Sequence, residues 1–132
     1  MNLDAIEPLQ PLGIKVKSCD GERAVITMPQ QGNLNDKKTI FAGSQYSAMV
    51  IAGWYLAGTW AEQNGLGDKV AIKDGQVSYP KAAVGDLEAI AQFQQPPEKR
   101  PSGHWRVEIL VEAFDSDGDV VSRFVADYRI LQ

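Results

Sequence analysis

The sequence contains only one cysteine and one histidine among its 132 residues. The single cysteine, Cys19, excludes an intrachain disulfide and a cysteine-based metal cluster, and this usage suits a cytoplasmic protein. The N-terminal segment MNLDAIEPL carries acids early and lacks an apolar run, so we expect no signal peptide. A formal net charge of −4 argues against nucleic acid as the main partner. These absences leave a single domain, residues 1–132, that is long enough to bury a core.

One long stretch lacks charge as well, since no Asp, Glu, Lys or Arg occurs between Thr39 and Ala61. Its large apolar residues are spread around the helical wheel, which indicates a helix buried on most sides. We predict that this central helix begins at residues 42–44 and ends near Asn64, with Gly65 terminating it. The stretch is long enough to be tested as a membrane span, but its polar and small residues favour a protein core.

Two glycines, Gly53 and Gly58, lie inside this predicted helix. Glycine costs roughly 0.5–1 kcal/mol relative to alanine in a helix, so a packing reason is expected. The simplest reason is a sheet that curls around the helix and comes close to its backbone. Chance glycines in a loosely packed helix are the alternative.

Alternation of apolar and polar residues predicts strands before and after the central helix. A short helix at Leu3–Leu9, capped by Asn2, should come first, and Asp20-Gly21 should join the first two strands as a hairpin. The pair Asp74-Gly75 leaves two alternatives open, a hairpin or a bulge within one long strand. One dominant helix among segregated strands predicts an α+β fold with an antiparallel sheet. The predicted strand segments are residues 14–17, 24–28, 70–72, 76–79, 87–93, 105–114 and 120–131.

Three other features are weaker candidates for function. The run Asp115–Asp119 (DSDGD) is similar to the start of a calcium loop, but the later ligands are missing and a hairpin turn is favoured. His104 has no predictable acid or serine partner, which favours a structural role. Cys19 lies beside a turn without the basic surroundings that activate a thiolate. We therefore predict no metal site and no cysteine or histidine catalysis.

Three sequence features together resemble the hot-dog fold superfamily. The first is an N-x-x-x-T-x-F-x-G-S run from Asn35 to Ser44 at the entry to the central helix. The second is D-x-x-x-x-Y followed by G-D, from Asp74 to Asp86, and the third is the closing pair of long strands joined by an acidic glycine turn. Within the superfamily the chain is most similar to the thioesterase family of the YiiD C-terminal type, whose helix entry resembles residues 41–46 and 52–54 here.

The resemblance implies a curved antiparallel sheet around one long central helix, with a thioester-handling site near the helix N-terminus at a dimer interface. Free backbone N–H groups at a helix start favour developing negative charge, which supports this placement. Asn35 would place a water or the thioester carbonyl, Gly43 would let substrate approach, and Ser44 would donate a hydrogen bond or cap the helix. The residues implied to contact substrate are Phe41, Ala42, Tyr46, Met49, Tyr79, Lys37 and Lys38.

Basic pairs on either side of the helix offer a further contact with substrate. Lys37-Lys38 and Lys99-Arg100 could meet the phosphates of coenzyme A, although solvated loop charge is the simpler interpretation.

The sequence departs from the superfamily in its acid. Thioesterases of the phenylacetyl-CoA type place a histidine before a double glycine and an acid further into the helix. Phe41 and Val50 occupy those two positions here, and no Asp or Glu lies inside the helix before Glu62. Three alternatives stay open: an acid from elsewhere (Asp36 or Asp74), a water positioned without an acid, or acyl binding without hydrolysis.

The first hypothesis is an acyl-CoA or acyl-carrier-protein thioester hydrolase with no resident cofactor, coenzyme A being part of the substrate. A non-catalytic acyl-binding module and a self-assembling partner domain are the alternatives. A homodimer, or a tetramer built from it, is expected in every case. The reason is that a lone curved sheet leaves strand edges and an apolar helix face exposed.

Overall fold

The computed structural model describes residues 1–132 as one long helix packed on one antiparallel sheet. The helix α1 is Ala42–Gln63, and no helix is long and apolar enough to cross a membrane. One long helix on an antiparallel sheet confirms the predicted α+β architecture. The strands are β1 (Lys15–Cys19), β2 (Arg23–Met28), β3 (Val70–Ser78), β4 (Leu87–Phe93), β5 (Glu98–Lys99), β6 (Trp105–Phe114) and β7 (Val120–Ile130).

The sheet has the strand order β1-β2-β4-β6-β7-β3, and the short β5 pairs with β6. Every neighbouring pair is antiparallel. Alternate residues of β6 are buried under the helix, namely Val107, Ile109 and Val111, as the period-two pattern predicts. Strands β1 and β3 form the two outer edges.

The close approach of sheet and helix explains one of the two helix glycines. A Cβ atom on Gly53 would lie 2.3 Å from the hydroxyl oxygen of Tyr128, a buried residue of β7. That hydroxyl donates to the carbonyl of Val50 at 2.7 Å, so the tyrosine is fixed against the helix backbone. A Cβ atom on Gly58 would instead lie 2.2 Å from the end of the Met1 side chain. The sheet explanation is therefore wrong for this position.

The two ends of α1 differ in how they are capped. At the C-terminal end Gly65 has a left-handed φ of 68° and the Leu66 N–H donates to the Ala61 carbonyl at 2.9 Å, which confirms the predicted glycine stop. At the N-terminal end the cap residue is Phe41, with no side-chain capping bond. Ser44 is the third residue of the helix, so the capping role considered for it is wrong.

The structure corrects the prediction for the N-terminal segment and decides between the two alternatives for Asp74-Gly75. The N-terminal segment forms 3-10 turns at Leu3–Ala5 and Glu7–Leu12 rather than one helix, because its prolines interrupt the α pattern, although Asn2 does cap the first turn. Asp74-Gly75 lies within the single strand β3, whose pairing with β7 shifts register between Ile72 and Asp74. The bulge alternative is therefore the correct one.

Both chain ends contact the C-terminal end of α1 or the turn after it. The Met1 amino group pairs with Glu62 at 2.9 Å. The side-chain amide of Gln132 donates to the Leu66 carbonyl at 2.9 Å, and its backbone N–H donates to Nδ1 of His104 at 2.9 Å. Nδ1 of His104 therefore anchors the last residue of the chain.

Candidate functional site

The start of α1, Phe41–Ser44, is the helix entry and carries backbone donors without acceptors. The Phe41 N–H donates to the Asn33 carbonyl at 2.8 Å, and the first helical bond across the entry runs from the Gln45 N–H to the Phe41 carbonyl at 3.1 Å. The N–H groups of Ala42, Gly43 and Ser44 have no acceptor in the chain. The entry is therefore a concentrated set of donors at the positive end of the helix dipole, suited to an oxyanion.

Side-chain amides hold the loop that leads into the entry. Asn33 is buried, and its Nδ2 donates to the carbonyls of Leu12 and Pro29, both at 2.9 Å. Gln45 is also buried, and its Nε2 donates to the Ile40 carbonyl at 3.0 Å. These bonds fix the direction from which the chain enters α1.

Tyr79, directly after β3, links the edge of the sheet to the helix entry by a hydrogen bond. Its hydroxyl donates to the Ala42 carbonyl at 3.1 Å. Burial, and secondarily the nearby Tyr46, raise the pKa of Tyr79, so the phenol stays protonated at neutral pH. Tyr79 therefore acts as a hydrogen-bond donor and not as a base.

Ser44 differs from the other serine of the first helical turns. It is 7% exposed, and its hydroxyl has no hydrogen-bond partner in the chain. The Ser47 hydroxyl, one turn later, donates to the Gly43 carbonyl at 3.1 Å. The Ser44 hydroxyl is thus the one available to a ligand or a water at the entry.

Three half-exposed aromatic side chains, Phe41, Tyr46 and Tyr79, surround the entry and form an aromatic rim. Their exposed fractions are 55%, 38% and 41%. The Phe41 ring lies over Gly43, since a Cβ there would come within 2.5 Å of its Cε2 atom. Tyr46 makes an edge contact with Phe124, with ring centroids 5.1 Å apart. The rim places apolar surface next to the free N–H groups.

Asn35 lies in the loop before the entry, half-buried, with its side chain occupied by that loop. Its Oδ1 accepts from the backbone N–H groups of Lys37 at 2.8 Å and Thr39 at 3.2 Å, and its Nδ2 donates to the Thr39 hydroxyl at 3.0 Å. One Nδ2 hydrogen remains for a water or a substrate. Its proposed role in placing water stays a prediction.

The other sequence-predicted contact residues fall in two places. Met49 is fully buried in the core, so it does not line a surface open to substrate in this chain. Lys37 and Lys38 are exposed on the loop, where Lys37 pairs with Asp36 at 3.1 Å and Lys38 has a left-handed φ of 64°.

The entry has no carboxylate. Asp36 is exposed and paired with Lys37, which lowers the pKa of its carboxyl, and Asp74 accepts from the Gly75 N–H at 2.8 Å. The half-buried Val50 is the helix residue at the position where related proteins are expected to carry an acid. The chemistry of the entry is therefore donor-rich and lacks a base.

Sequence reasoning missed Asn33 and Gln45, the two buried amides that position the entry. Their partners are carbonyls brought near by folding, so residue spacing contained no signal for them. The weak signal available was a glutamine inside an otherwise apolar helix, at residue 45.

A model of one protein family matches nearly the whole chain. The family is described as "Putative thioesterase (yiiD_Cterm)", and the match covers residues 4–131.

Solved structures of proteins from several bacteria have the same fold as this chain. A "putative thioesterase" from Shewanella oneidensis superposes with a TM-score of 0.86 at 21% identity, covering 98% of this chain and 92% of that one. A "putative esterase" from Mycobacterium tuberculosis gives 0.80 at 14% identity, covering 94% and 95%. The E. coli PaaI protein from the phenylacetic acid degradation operon gives 0.78 at 19% identity, covering 99% and 91%. At these identities the likeness establishes the hot-dog fold.

Proposed function

The chain belongs to the YiiD C-terminal thioesterase family, whose model it matches over residues 4–131, and from that membership we propose that it hydrolyses acyl thioesters at the helix entry. The acyl group would be carried by coenzyme A or by an acyl carrier protein. The observation that carries the proposal is the set of unpaired donors at the entry: three backbone N–H groups and the Ser44 hydroxyl.

The donors suit the charge that develops in thioester hydrolysis. Water attacks the carbonyl carbon, and the carbonyl oxygen becomes an oxyanion that the N–H groups of Gly43 and Ser44 and the Ser44 hydroxyl stabilise. Collapse of the tetrahedral intermediate breaks the carbon–sulfur bond and releases the thiolate, which takes up the proton that the water loses. Preorganised donors at a helix start act without reorganisation, which is the largest contribution this entry offers.

A homodimer is part of the proposal. The edge strand β3 has exposed side chains at its end, from Gln76 to Ser78, and Val50 and Trp54 on α1 are only half-buried. A second copy would cover this end of the strand edge and this helix surface together. The Phe41 and Tyr46 rings would then line an acyl groove between the two copies.

A second function is favoured by one observation, the absence of a carboxylate at the entry. Without a base to activate water, the same donors would bind the thioester carbonyl and leave it intact. In that case the protein is an acyl-thioester binding module, and Val50 is the residue that distinguishes it from a hydrolase.

The deciding experiment is thiol release from acyl-CoAs of increasing chain length, with wild type beside Ser44→Ala and Gly43→Val. We expect turnover by wild type and a loss of about 100-fold in kcat/KM for Ser44→Ala, the effect typical of removing one oxyanion donor. Gly43→Val should abolish turnover, because the new side chain needs the space that the Phe41 ring occupies beside the free N–H groups.

The matched control is Ser47→Ala, one turn further along α1, since the Ser47 hydroxyl is already bonded to the Gly43 carbonyl. This variant should retain wild-type turnover. No turnover on any thioester, combined with saturable binding of one, would replace the hydrolase with the binding module.

A further inference from the structure

A basic cavity of about 420 Å³ lies at the opposite end of β3 from the helix entry. It is enclosed by the first residues of β3, the loop between β5 and β6, and the end of β7. Its walls comprise Ala71, Ile72, Lys73, Arg100, Ser102, His104, Arg129 and Leu131.

The charge of this cavity is unusual in an acidic protein. Lys73, Arg100 and Arg129 line it, and no Asp or Glu does, although the whole chain has a net charge of −4. Four other cavities, two larger and two smaller, each have at least one carboxylate in the wall. Two of the three cations, Lys73 and Arg100, have no counter-charge, and Arg129 is paired with Asp127. Such a group of cations indicates a site for an anion.

The donors in the basic cavity are largely free. The side chains of Lys73 and Arg100 form no ion pair or hydrogen bond in the chain, while Arg129 is oriented by its bonds to Asp127 and to the Tyr128 carbonyl. Nδ1 of His104 accepts from the Gln132 N–H, which leaves the proton on Nε2 as a further donor. An arginine fork, an ammonium and an imidazole N–H are the groups that bind phosphate.

The basic cavity and the helix entry lie at the two ends of one strand. Lys73 is near the beginning of β3, and Tyr79, which donates to the Ala42 carbonyl, follows its last residue. Six residues of extended chain correspond to about 20 Å. An extended ligand with a reactive thioester at one end and phosphates at the other would fit this separation.

We propose that the basic cavity binds the phosphate groups of a coenzyme A thioester whose acyl end lies at the helix entry. The proposal rests on the proposed function for its thioester and adds the identity of the carrier. Coenzyme A has several phosphate charges at its nucleotide end, whereas the arm of a carrier protein has a single phosphodiester. A cavity with two unpaired cations beside an arginine held by Asp127 fits the former.

Binding of the nucleotide end alone tests the proposal without any turnover. Calorimetric titration with adenosine 3′,5′-bisphosphate and with coenzyme A would be done on wild type, Lys73→Gln and Arg100→Gln. We expect both ligands to bind wild type, with affinity falling as salt rises, and each variant to bind about tenfold more weakly. The matched control is Lys99→Gln, which removes an exposed cation next to Arg100 but outside the cavity.

Steady-state kinetics separate this proposal from the hydrolase. If both hold, the two cavity variants raise KM for an acyl-CoA, leave kcat intact, and do not change the kinetics of the matching acyl-pantetheine, which lacks the nucleotide. Hydrolysis of both substrates with no effect of the variants overturns the cavity and leaves the hydrolase standing. Nucleotide binding lost in the variants, with no hydrolysis by wild type, supports the cavity and overturns the hydrolase.

Discussion

Asp115 at the start of the β6–β7 turn organises several backbone groups through one carboxylate. It is 6% exposed and accepts from the N–H groups of Val84 at 3.1 Å, Asp117 at 3.1 Å and Asp119 at 3.3 Å. Asp115 therefore shapes the turn and joins it to the loop before β4, in agreement with the turn favoured from the sequence. A carboxylate that satisfies buried N–H groups is costly to remove.

Asp115→Ala is expected to lower the free energy of unfolding by about 2–3 kcal/mol, because charge-assisted bonds are lost and N–H groups are left unpaired. Asp117→Ala, in the same turn, removes an exposed carboxylate without a partner and should change it by less than about 0.5 kcal/mol. Urea unfolding of both variants measures the difference. Equal losses would contradict the organising role of Asp115.

The residues of the site were predicted from sequence only where the backbone alone determines their role. Gly43 and Ser44 could be placed at the start of the helix because the helix boundary could be predicted from the sequence. Met49 was expected to contact substrate, but the helix is rotated so that this side chain is fully buried in the core. Packing determines which side of such a helix faces the sheet when the helix is apolar all round. The sequence has no polar stripe from which that side could be predicted.

At the scale of elements, the two glycines of α1 give a matched pair. Gly53 lies against the buried ring of Tyr128, which cannot move, whereas Gly58 lies against the flexible end of Met1. We expect Gly53→Ala to lower the free energy of unfolding by about 1–3 kcal/mol through overpacking. Gly58→Ala should be neutral or stabilising, because alanine is the better helix former by about 1 kcal/mol.

Thermal unfolding of the two variants provides the measurement. A destabilised Gly53→Ala beside an unaffected Gly58→Ala would show that the sheet, and not helix propensity, requires the glycine. Identical melting temperatures for the two variants would contradict the close packing of β7 on α1.

Strand limits were predictable where alternation was uninterrupted. The bounds of β4 and β6 agree with the predicted 87–93 and 105–114. Elements with turn residues inside them were not predictable in the same way: the Asp74-Gly75 bulge suits a hairpin equally well until β7 is known to pair along the whole of β3. The prolines near the N-terminus likewise convert a helical pattern into 3-10 turns.

At the scale of the whole molecule, the expected homodimer can be tested through the exposed residues of β3. Light scattering at micromolar concentration should give twice the chain mass of 14.5 kDa. Val77→Lys puts a charge on the edge strand and should shift the protein toward monomer, since a buried unpaired charge opposes association. Val84→Lys is the control, because its side chain is equally exposed, 38% against 37%, but lies outside β3. A monomeric wild type would remove the shared acyl groove from the proposal.

The basic cavity belongs to this scale too, because its cations come from residues 73, 100 and 129, far apart in sequence. Only the strand order, which places β3 beside β7 and the β5–β6 loop near both, brings them together. Strand order is set by the pairing of the whole sheet. Inspection of charge along the sequence therefore found one member, Arg100, and could not find the cavity.

The contacts of both chain ends with the C-terminal end of α1 and the turn after it have a consequence for protein engineering. Met1 is tied to Glu62 and Gln132 to Leu66, so the first and last residues meet at the same end of the molecule. A short flexible linker could join them, and the chain could be reopened in the exposed Gln94–Pro96 loop without cutting an element. Such a circular permutant would keep the helix entry and the sheet intact, and would present new ends on the side of the molecule away from the entry.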